Sequence, residues 1–560
     1  MGRWLAPVAV VAALLLAILG TTSSMPVGRD APADVFSADR AMDDVRIIAR
    51  APHVTGSAEN AEVRAYISAR FVALGMEVRT TQGEVPDRAL DKFEAWSGTR
   101  PDALTFTNVI GILPGRDRTR PAVLLMAHHD TVWGSAGAPD DTAGVAAILE
   151  TLRAVVADGG ADRDIIALMT DAEELGLNGA TQFFAKNPLR ERVGAIVNLE
   201  ARGGGGRTML FQTSRDNGAA VMRYANAVGR PGGSSLAAFV YEVLPNDTDL
   251  TPALESDAVA YNLSFIGRPE QYHSPSATPD ALDRGALQDM GDQTLGLTRA
   301  LAGAGPLPSR AMANRTFFDL FGVVLVHYGT GVGWILLGVT AVLHWMAWRR
   351  DAELGGIIPS LQASAGALLG GGAALYALNL LSGAGAANSY YDRLAATDML
   401  EAQALLVCIA ALAATAPWWA GRSASIVGIG FALALQVLAP TTAFIVVWPL
   451  LLVGLTGLAA SRTSGAVAGV VTVAGTALAG GFLLQFGHQL MQGVGQSIPS
   501  ALALLATLAI PVCGLLFRTV RPATAYRMAA VCLAAAIVIA LIVRFDPVAS
   551  TVPDYASMKG

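Results

Sequence analysis

The stretch AHHDTVWGSAGAPDDTAGVAAILE, from Ala127 to Glu150, concentrates side chains that can bind a metal ion. His128, His129 and Asp130 follow an apolar run, and an Asp–Asp pair precedes a helix-like segment. All three cysteines lie in the second half of the chain, which excludes a disulfide framework or a thiolate zinc site around this stretch. Metal chemistry here would therefore use imidazole and carboxylate ligands, a set typical of catalytic zinc sites with open coordination positions.

Three more segments carry polar side chains of the same kinds. They are TDAEELG with Asp171, Glu173 and Glu174, VNLEARG with Asn198 and Glu200, and QYHSPSATPD with Tyr272 and His273. A single acidic segment of this kind would be interpreted as a helix cap or a solvated turn. Several carboxylates without basic partners raise one another's pKa, and a divalent cation removes that cost. Because carboxylates bridge pairs of metal ions in hydrolytic enzymes, the sequence predicts a metal-dependent hydrolytic site.

The elements that must position these groups alternate between helix and strand from about residue 35 to 300. SADRAMDDVRIIAR begins with a Ser cap and has apolar residues at helical spacing, whereas MEVRTTQ alternates like a strand. Short apolar runs then precede most of the polar segments, which predicts an α/β sandwich with a mostly parallel sheet. Because ligands gather beyond the carboxyl ends of strands in such sheets, we expect the polar groups to meet at one edge.

The second half of the chain is far more apolar than the first. The whole chain of 560 residues is 53% hydrophobic and 15% charged, and the excess lies in Ala-, Leu-, Gly- and Val-rich runs after about residue 317. We predict a membrane anchor over residues 1–24, interpreted as uncleaved rather than as a signal peptide, a water-facing domain over 25–315, and a membrane domain of about eight helices over 316–560. The predicted later spans are 329–347, 364–384, 400–418, 423–439, 441–459, 464–484, 499–517 and 526–543.

The charges that flank these spans orient them in the bilayer. With Arg3 in the cytoplasm, the cytoplasmic ends of the spans collect Arg349, Arg350, Arg422, Arg462, Arg518, Arg521 and Arg527. The opposite side keeps Arg393, Arg544 and Lys559. This is the asymmetry of the positive-inside rule, so we expect the water-facing domain on the periplasmic or luminal side. With a net charge of −6, the sequence lacks the excess of basic residues that is typical of nucleic-acid-binding proteins.

Five motifs, in their order along the chain, resemble those of the MH-clan zinc aminopeptidases. They are AHHD, GAPDDTAGVAAILE, DAEELGLNGA, NLEARGGGG and YHSPSATPD. The resemblance covers about residues 40–300 and is closest to the membrane-bound branch, of the endoplasmic reticulum metallopeptidase and vacuolar membrane protease type. It implies a zinc-exopeptidase fold with a di-zinc centre that removes N-terminal residues from peptides.

Carried over motif by motif, the resemblance implies a role for each site residue. One zinc ion would be bound by His128, Asp140 and Glu200, and the other by Asp140, Glu174 and His273. Glu173 would be the general base that takes a proton from the attacking water. Asp130 would orient the imidazole of His128. Tyr272 would support the oxyanion, with ordinary packing as the alternative. Glu200 stands where soluble relatives usually have Asp, a change that affects metal affinity without removing the site.

Other polar residues near the motifs are given different roles. His129 and Asp141 occupy positions that are not ligands in the family, and His53 in APHVTGS is expected to be structural. Asp247 and Asp249 would either bind the free amino terminus of the substrate or cap the next helix.

Two alternatives to an aminopeptidase remain open. The same fold could act as a dipeptidase, a carboxypeptidase or a glutaminyl cyclase. Alternatively, the chain could be a transport or assembly protein with an inactive outer domain, although ionisable side chains, which mark transport paths, are nearly absent from the predicted spans. We therefore interpret the membrane domain as an anchor and scaffold rather than as a transporter.

Overall fold

A computed structural model describes residues 4–350, 357–386, 390–419, 424–517 and 520–546. The described residues divide into two compact units, one of residues 22–319 and 323–327, and one that combines the first helix, residues 320–322 and the described residues between Tyr328 and Asp546. The domain bounds at residues 24 and 315 stay a prediction. Four residues used above to orient the spans, Arg3, Arg422, Arg518 and Lys559, lie outside the described residues.

A seven-stranded sheet forms the centre of the first unit. Its strands are β1 Glu77–Glu84, β2 Thr105–Leu113, β3 Ala122–His128, β4 Ile165–Thr170, β5 Val193–Ala201, β6 Met209–Thr213 and β7 Val259–Phe265. Their order across the sheet is β1-β2-β4-β3-β5-β7-β6. Strands β4, β3, β5 and β7 are parallel neighbours, whereas β2 and β6 run antiparallel to theirs. The predicted α/β fold with a mostly parallel sheet is confirmed.

Helices cover both faces of this sheet. Those of the first unit are α2 Ala38–Ile48, α3 Ala58–Ala73, α4 Asp87–Ser97, α5 Ala143–Ala157, α6 Asn178–Lys186, α7 Gly218–Ala227, α8 Ser235–Val243 and α9 Arg284–Ala302. The Ser37 side chain caps α2 by accepting the backbone N–H of Arg40 at 3.3 Å, as predicted. A hairpin of β8 Thr316–Leu320 and β9 Val324–Tyr328 follows α9.

Strand β3 shows why the sequences of the buried strands are continuous apolar runs. Val123, Leu125 and Ala127 belong to the core on the side of α5 and α9. Leu124 and Met126 belong to the core on the side of α6. Because successive side chains of a strand point to opposite faces, a parallel strand covered on both faces needs an apolar residue at every position.

The second unit is helical. Its helices are α1 Leu5–Thr21, α10 Thr330–Arg350, α11 Ile357–Ala365, α12 Gly371–Leu381, α13 Tyr390–Ala395, α14 Thr397–Thr415, α15 Ala424–Leu438, α16 Phe444–Ser461, α17 Gly465–Leu490, α18 Leu502–Gly514 and α19 Pro522–Phe545. Every predicted span coincides with one or two of these helices. Within the described residues, six helical segments are long and apolar enough to cross a membrane, and the segments Leu5–Thr21, Ser425–Leu438 and Pro499–Gly514 are apolar but shorter.

Small residues bring α1 against α17. The buried face of α1 consists of Ala9, Ala13, Ala17 and Gly20. A Cβ atom added at Gly481 of α17 would lie 3.1 Å from the carbonyl oxygen of Ala13. Membrane helices associate closely where small side chains let their backbones approach. The predicted anchor is therefore packed as part of the same unit as the later helices.

Three ionisable residues of the second unit have polar partners. The Nδ1 atom of His488 lies 2.9 Å from the carboxylate of Glu401 and joins α17 to α14. The buried Arg393 donates to Asn379 Oδ1 at 2.6 Å and to the Gln496 carbonyl oxygen at 3.1 Å. Such polar contacts join helices within a membrane unit.

Candidate metal centre

The carboxyl ends of the parallel strands bring the predicted polar residues to one edge of the sheet. His128 is the last residue of β3, and Glu200 lies at the end of β5. Glu173 and Glu174 follow β4, and His273 follows β7. The order β4-β3-β5-β7 places these four strand ends side by side, so the predicted meeting of polar groups at one edge is confirmed.

Asp140 lies between the two histidines. Its Oδ1 atom is 3.2 Å from His128 Nε2, and its Oδ2 atom is 3.2 Å from His273 Nε2. The same His273 nitrogen lies 2.9 Å from Glu174 Oε1. One ligand atom each from His128, Asp140 and Glu174 lies within 4.8 Å of the other two. The two oxygens of one carboxylate thus face two different imidazoles, an arrangement suited to bridging two cations.

Two hydrogen bonds join the loop that carries Asp140 to the loop that carries His273. The Ser135 hydroxyl donates to the Ser274 carbonyl oxygen at 2.9 Å. The backbone N–H of Ala138 donates to the Ala277 carbonyl oxygen at 3.1 Å. His273 itself has a left-handed backbone with φ of 53°. The bridging carboxylate and the second imidazole are therefore held in register although they are far apart in sequence.

Asp130 supports the site through both its backbone and its side chain. The Nδ1 atom of His128 lies 3.0 Å from the Asp130 carbonyl oxygen and 3.6 Å from its carboxylate. The carboxylate also accepts the backbone N–H of Glu173 and of Glu174. The contacts with His128 are compatible with the predicted orienting role of Asp130. The contacts with the backbone of Glu173 and Glu174 were not predicted.

The electrostatics of the site favour a cation. Burial raises the pKa of Glu173 and of Glu200 well above the usual range, and neighbouring carboxylates add to the effect. Burial also raises the pKa of Asp249, to about 7. For Asp140, burial is outweighed by hydrogen bonds to His128 and His273, and its pKa falls to about 2. Buried carboxylates of this density are costly unless a cation compensates them, and nitrogen and oxygen ligands without thiolates suit catalytic zinc.

His129, Asp141 and His53 have other partners. His129 lies 3.3 Å from Asn60 Nδ2 and 3.1 Å from the Thr107 carbonyl oxygen, each through a different ring nitrogen. Asp141 accepts the backbone N–H at the start of α5, at 3.1 Å. The buried His53 ring lies 3.0 Å from the Ala51 carbonyl oxygen. These contacts agree with the expectation that none of the three is a ligand.

The remaining predicted residues differ in their surroundings. The Tyr272 ring stacks on the His273 ring with centroids 3.8 Å apart. Asp247 is exposed, whereas Asp249 is fully buried and accepts a hydrogen bond from the Thr170 hydroxyl. The two aspartates are thus not brought together. Because Asp249 is buried, we expect it to act on a substrate through its charge and not by direct contact.

Two residues that support the site, Thr55 and Lys92, were not predicted from the sequence. The Thr55 hydroxyl donates to Asp171 at 2.9 Å and to Asp130 at 3.3 Å, so the motif APHVTGS contributes its threonine as well as His53. Lys92 on α4 donates to the Glu174 carbonyl oxygen at 2.5 Å. No local pattern signals the Lys92 contact, because α4 reaches the site only through tertiary packing against Val132, Ala172 and Leu175.

Comparison with known proteins gives a family match over the part of the chain that contains this site. Residues 108–298 match the model of peptidase family M28. Human endoplasmic reticulum metallopeptidase 1 is 32% identical over 237 residues, which are 41% of this chain and 26% of that protein. The vacuolar membrane protease of Eremothecium gossypii is 29% identical over 290 residues, which are 50% and 28% of the two chains. The matches thus span about a quarter of the length of these relatives.

Solved structures are similar to about half of the chain. An aminopeptidase from Aneurinibacillus sp. strain AM-1 has a TM-score of 0.39 and 16% identity, over 49% of this chain and 96% of that chain. A glutaminyl cyclase from Porphyromonas gingivalis has a TM-score of 0.37 and 20% identity, over 47% and 98%. The sequence match and the site described above agree: residues 108–298 of this chain are similar to peptidase family M28, and the relatives that match include an endoplasmic reticulum metallopeptidase and a vacuolar membrane protease.

Proposed function

We propose that this protein is a membrane-anchored aminopeptidase with two zinc ions, which hydrolyses the N-terminal residues of peptides outside the cytoplasm. The observation that carries the proposal is the position of Asp140, whose two carboxylate oxygens each face a different histidine at 3.2 Å. A carboxylate placed in this way is suited to bridge two metal ions. The ligands would be His128, Asp140 and Glu200 for one zinc ion and Asp140, Glu174 and His273 for the other.

The residues of the site divide the work of peptide hydrolysis. Zinc ions bound here would polarise the scissile carbonyl and lower the pKa of water. Glu173 takes a proton from the attacking water and delivers it to the leaving amine. The Tyr272 hydroxyl stabilises the oxyanion of the tetrahedral intermediate. Asp247 and Asp249 favour a substrate with a free, positively charged amino terminus.

The membrane arrangement extends this proposal. Residues 1–24 form an anchor, residues 25–315 the peptidase domain and residues 316–560 the membrane domain. The six apolar helical segments that are long enough to cross a bilayer support a multi-pass protein. The surplus of arginines on one side of the spans supports a peptidase domain on the periplasmic or luminal side. Cysteine labelling at engineered positions in the peptidase domain of intact cells tests this orientation.

The test of the activity combines metal content with hydrolysis by the full-length protein in detergent. We expect about two zinc ions per chain by mass spectrometry, and cleavage of aminoacyl peptides but not of their N-acetylated forms. Asp140→Asn removes one charge from the bridge and should lose both zinc and activity. The control Asp162→Asn, at an ion pair on the surface, should retain both. Zinc binding without cleavage of any peptide would refute the proposal.

A further inference from the structure

Arg202 places a positive charge at the edge of the site. It directly follows the end of β5, two residues beyond Glu200, and its side chain is exposed. Its guanidinium carbon lies 5.9 Å from the centroid of the Tyr272 ring. The Tyr272 ring in turn stacks on the His273 ring, with centroids 3.8 Å apart and an angle of 20° between the planes. The guanidinium carbon therefore lies within about 10 Å of the imidazole that contacts Asp140 and Glu174.

Apart from its contact with the Tyr272 ring, the Arg202 guanidinium makes no ion pair within the described part of the chain. No carboxylate oxygen there lies within 4.0 Å of its nitrogens, and its backbone N–H donates to the Phe265 carbonyl oxygen. The neighbouring exposed Arg268 differs in this respect. It donates to the Ala281 carbonyl oxygen at 3.1 Å and lies 3.8 Å from Asp283. Arg202 is thus available to a ligand, and Arg268 is committed to the fold.

A guanidinium held over an aromatic face is suited to bind a carboxylate. Its parallel N–H groups match the two oxygens of a carboxylate, and the charge strengthens both hydrogen bonds. The centre of the site is rich in carboxyl groups, those of Glu173, Glu174 and Glu200, whereas Arg202 provides a positive charge at its edge. An anionic group on a substrate is therefore favoured on the side of Arg202.

The distance from Arg202 to His273 limits how long such a substrate is. The separations of 5.9 Å and 3.8 Å set an upper limit of about 10 Å, and extended chain spans about 3.3–3.6 Å per residue. A free C-terminal carboxylate no more than about three residues from His273 therefore matches this distance. We propose that Arg202 binds the C-terminal carboxylate of di- and tripeptides and makes short peptides with free carboxyl ends the preferred substrates. This inference rests on the proposed peptidase activity and specifies its substrate class.

The experiment uses the full-length zinc-loaded protein and matched pairs of peptides. Each of a dipeptide, a tripeptide and a hexapeptide with the same N-terminal residue is assayed as the free acid and as the C-terminal amide. In Arg202→Met, we expect KM for the short free acids to rise about five- to tenfold, the effect of losing one charge-assisted contact, with kcat nearly unchanged. The amides and the hexapeptide should show no change, and Arg202→Lys should lie between. Arg268→Met is the control for loss of a nearby positive charge.

The possible outcomes separate three explanations. If the wild type cleaves acids and amides with equal kcat/KM and Arg202→Met changes neither, the peptidase stands and the inference is wrong. If Arg202→Met lowers kcat for acids and amides alike, Arg202 positions Tyr272 and does not select the substrate, which also overturns the inference. If the wild type cleaves none of the peptides, the proposed function fails and the inference falls with it.

Discussion

The carboxylate of Asp130 holds the backbone of Glu173, whose N–H donates to Asp130 Oδ1 at 3.1 Å. The other oxygen accepts the N–H of Glu174 at 3.2 Å. One side chain after β3 therefore fixes the turn after β4 in which two adjacent glutamates are expected to play different roles. Because both oxygens are used, Asp130 positions the proposed base and a proposed ligand at the same time as it contacts His128.

Replacement of Asp130 by Asn should disturb both glutamates. An amide presents one acceptor instead of two, so one of the two N–H groups loses its partner. We expect kcat/KM to fall about 10- to 100-fold, with weaker zinc binding, as is typical for residues that support metal ligands. Kinetics combined with zinc titration against a chelator measures both effects. The exposed Asp117→Asn is the control, and unchanged zinc affinity and activity in Asp130→Asn would contradict the prediction.

Glu173→Gln should separate catalysis from metal binding. The amide keeps the size of the side chain but cannot accept a proton, so we expect kcat to fall about 10²- to 10⁴-fold while the zinc content stays at the wild-type level. The exposed Glu191→Gln should change neither quantity. A Glu173→Gln protein that loses zinc together with activity would show that Glu173 is a ligand.

His53 should make the protein sensitive to acid. Burial lowers its pKa to about 4, whereas an unfolded histidine titrates near 6.5. The unfolded state therefore binds a proton that the folded state resists, and the free energy of unfolding decreases as the pH falls from about 6.5 to 4, by at most about 3 kcal/mol. The contribution of neutral His53 to the free energy of unfolding is complete above about pH 6.5.

The slope of melting temperature against pH measures this effect. Between pH 7 and 5 the slope should be smaller in His53→Gln than in the wild type. The half-buried His327, whose pKa burial also lowers, provides the control, and His327→Gln should change the slope less. Equal slopes for the wild type and His53→Gln would contradict the prediction.

Asp319 should stabilise the end of the first unit. It is fully buried, it lies 3.3 Å from Arg207, and it accepts the backbone N–H of Gly233 at 3.3 Å. Loss of one partner of a buried ion pair costs about 3 kcal/mol, so Asp319→Ala should accelerate amide hydrogen exchange around Gly233 by roughly 100-fold. Hydrogen-exchange mass spectrometry of the full-length protein measures this change. Asp162→Ala, at an exposed pair, should leave the rate unchanged.

Much of the fold and of the site is encoded in short stretches of sequence. Local patterns predict the features that depend on neighbouring residues. These are the spacing of apolar residues in the strands and helices of the α/β half, the Ser37 cap and the apolar helices. The polar segments after β3, β4 and β5 also carry a local signal, because carboxyl ends of parallel strands share one edge. The family motifs added the roles of His128, Asp140, Glu174 and His273, which remain predictions.

Tertiary structure alone decided which of these residues touch and what supports them. The contacts from Thr55 to Asp171 and from Lys92 to Glu174 join residues that are far apart in the chain. They depend on the strand order, in which β4 lies between β2 and β3. The burial of Asp249 and the position of Arg202 over the Tyr272 ring are likewise products of packing. Local sequence determines secondary structure and chemical type, whereas distances between remote side chains follow only when the whole sheet assembles and excludes water from the site.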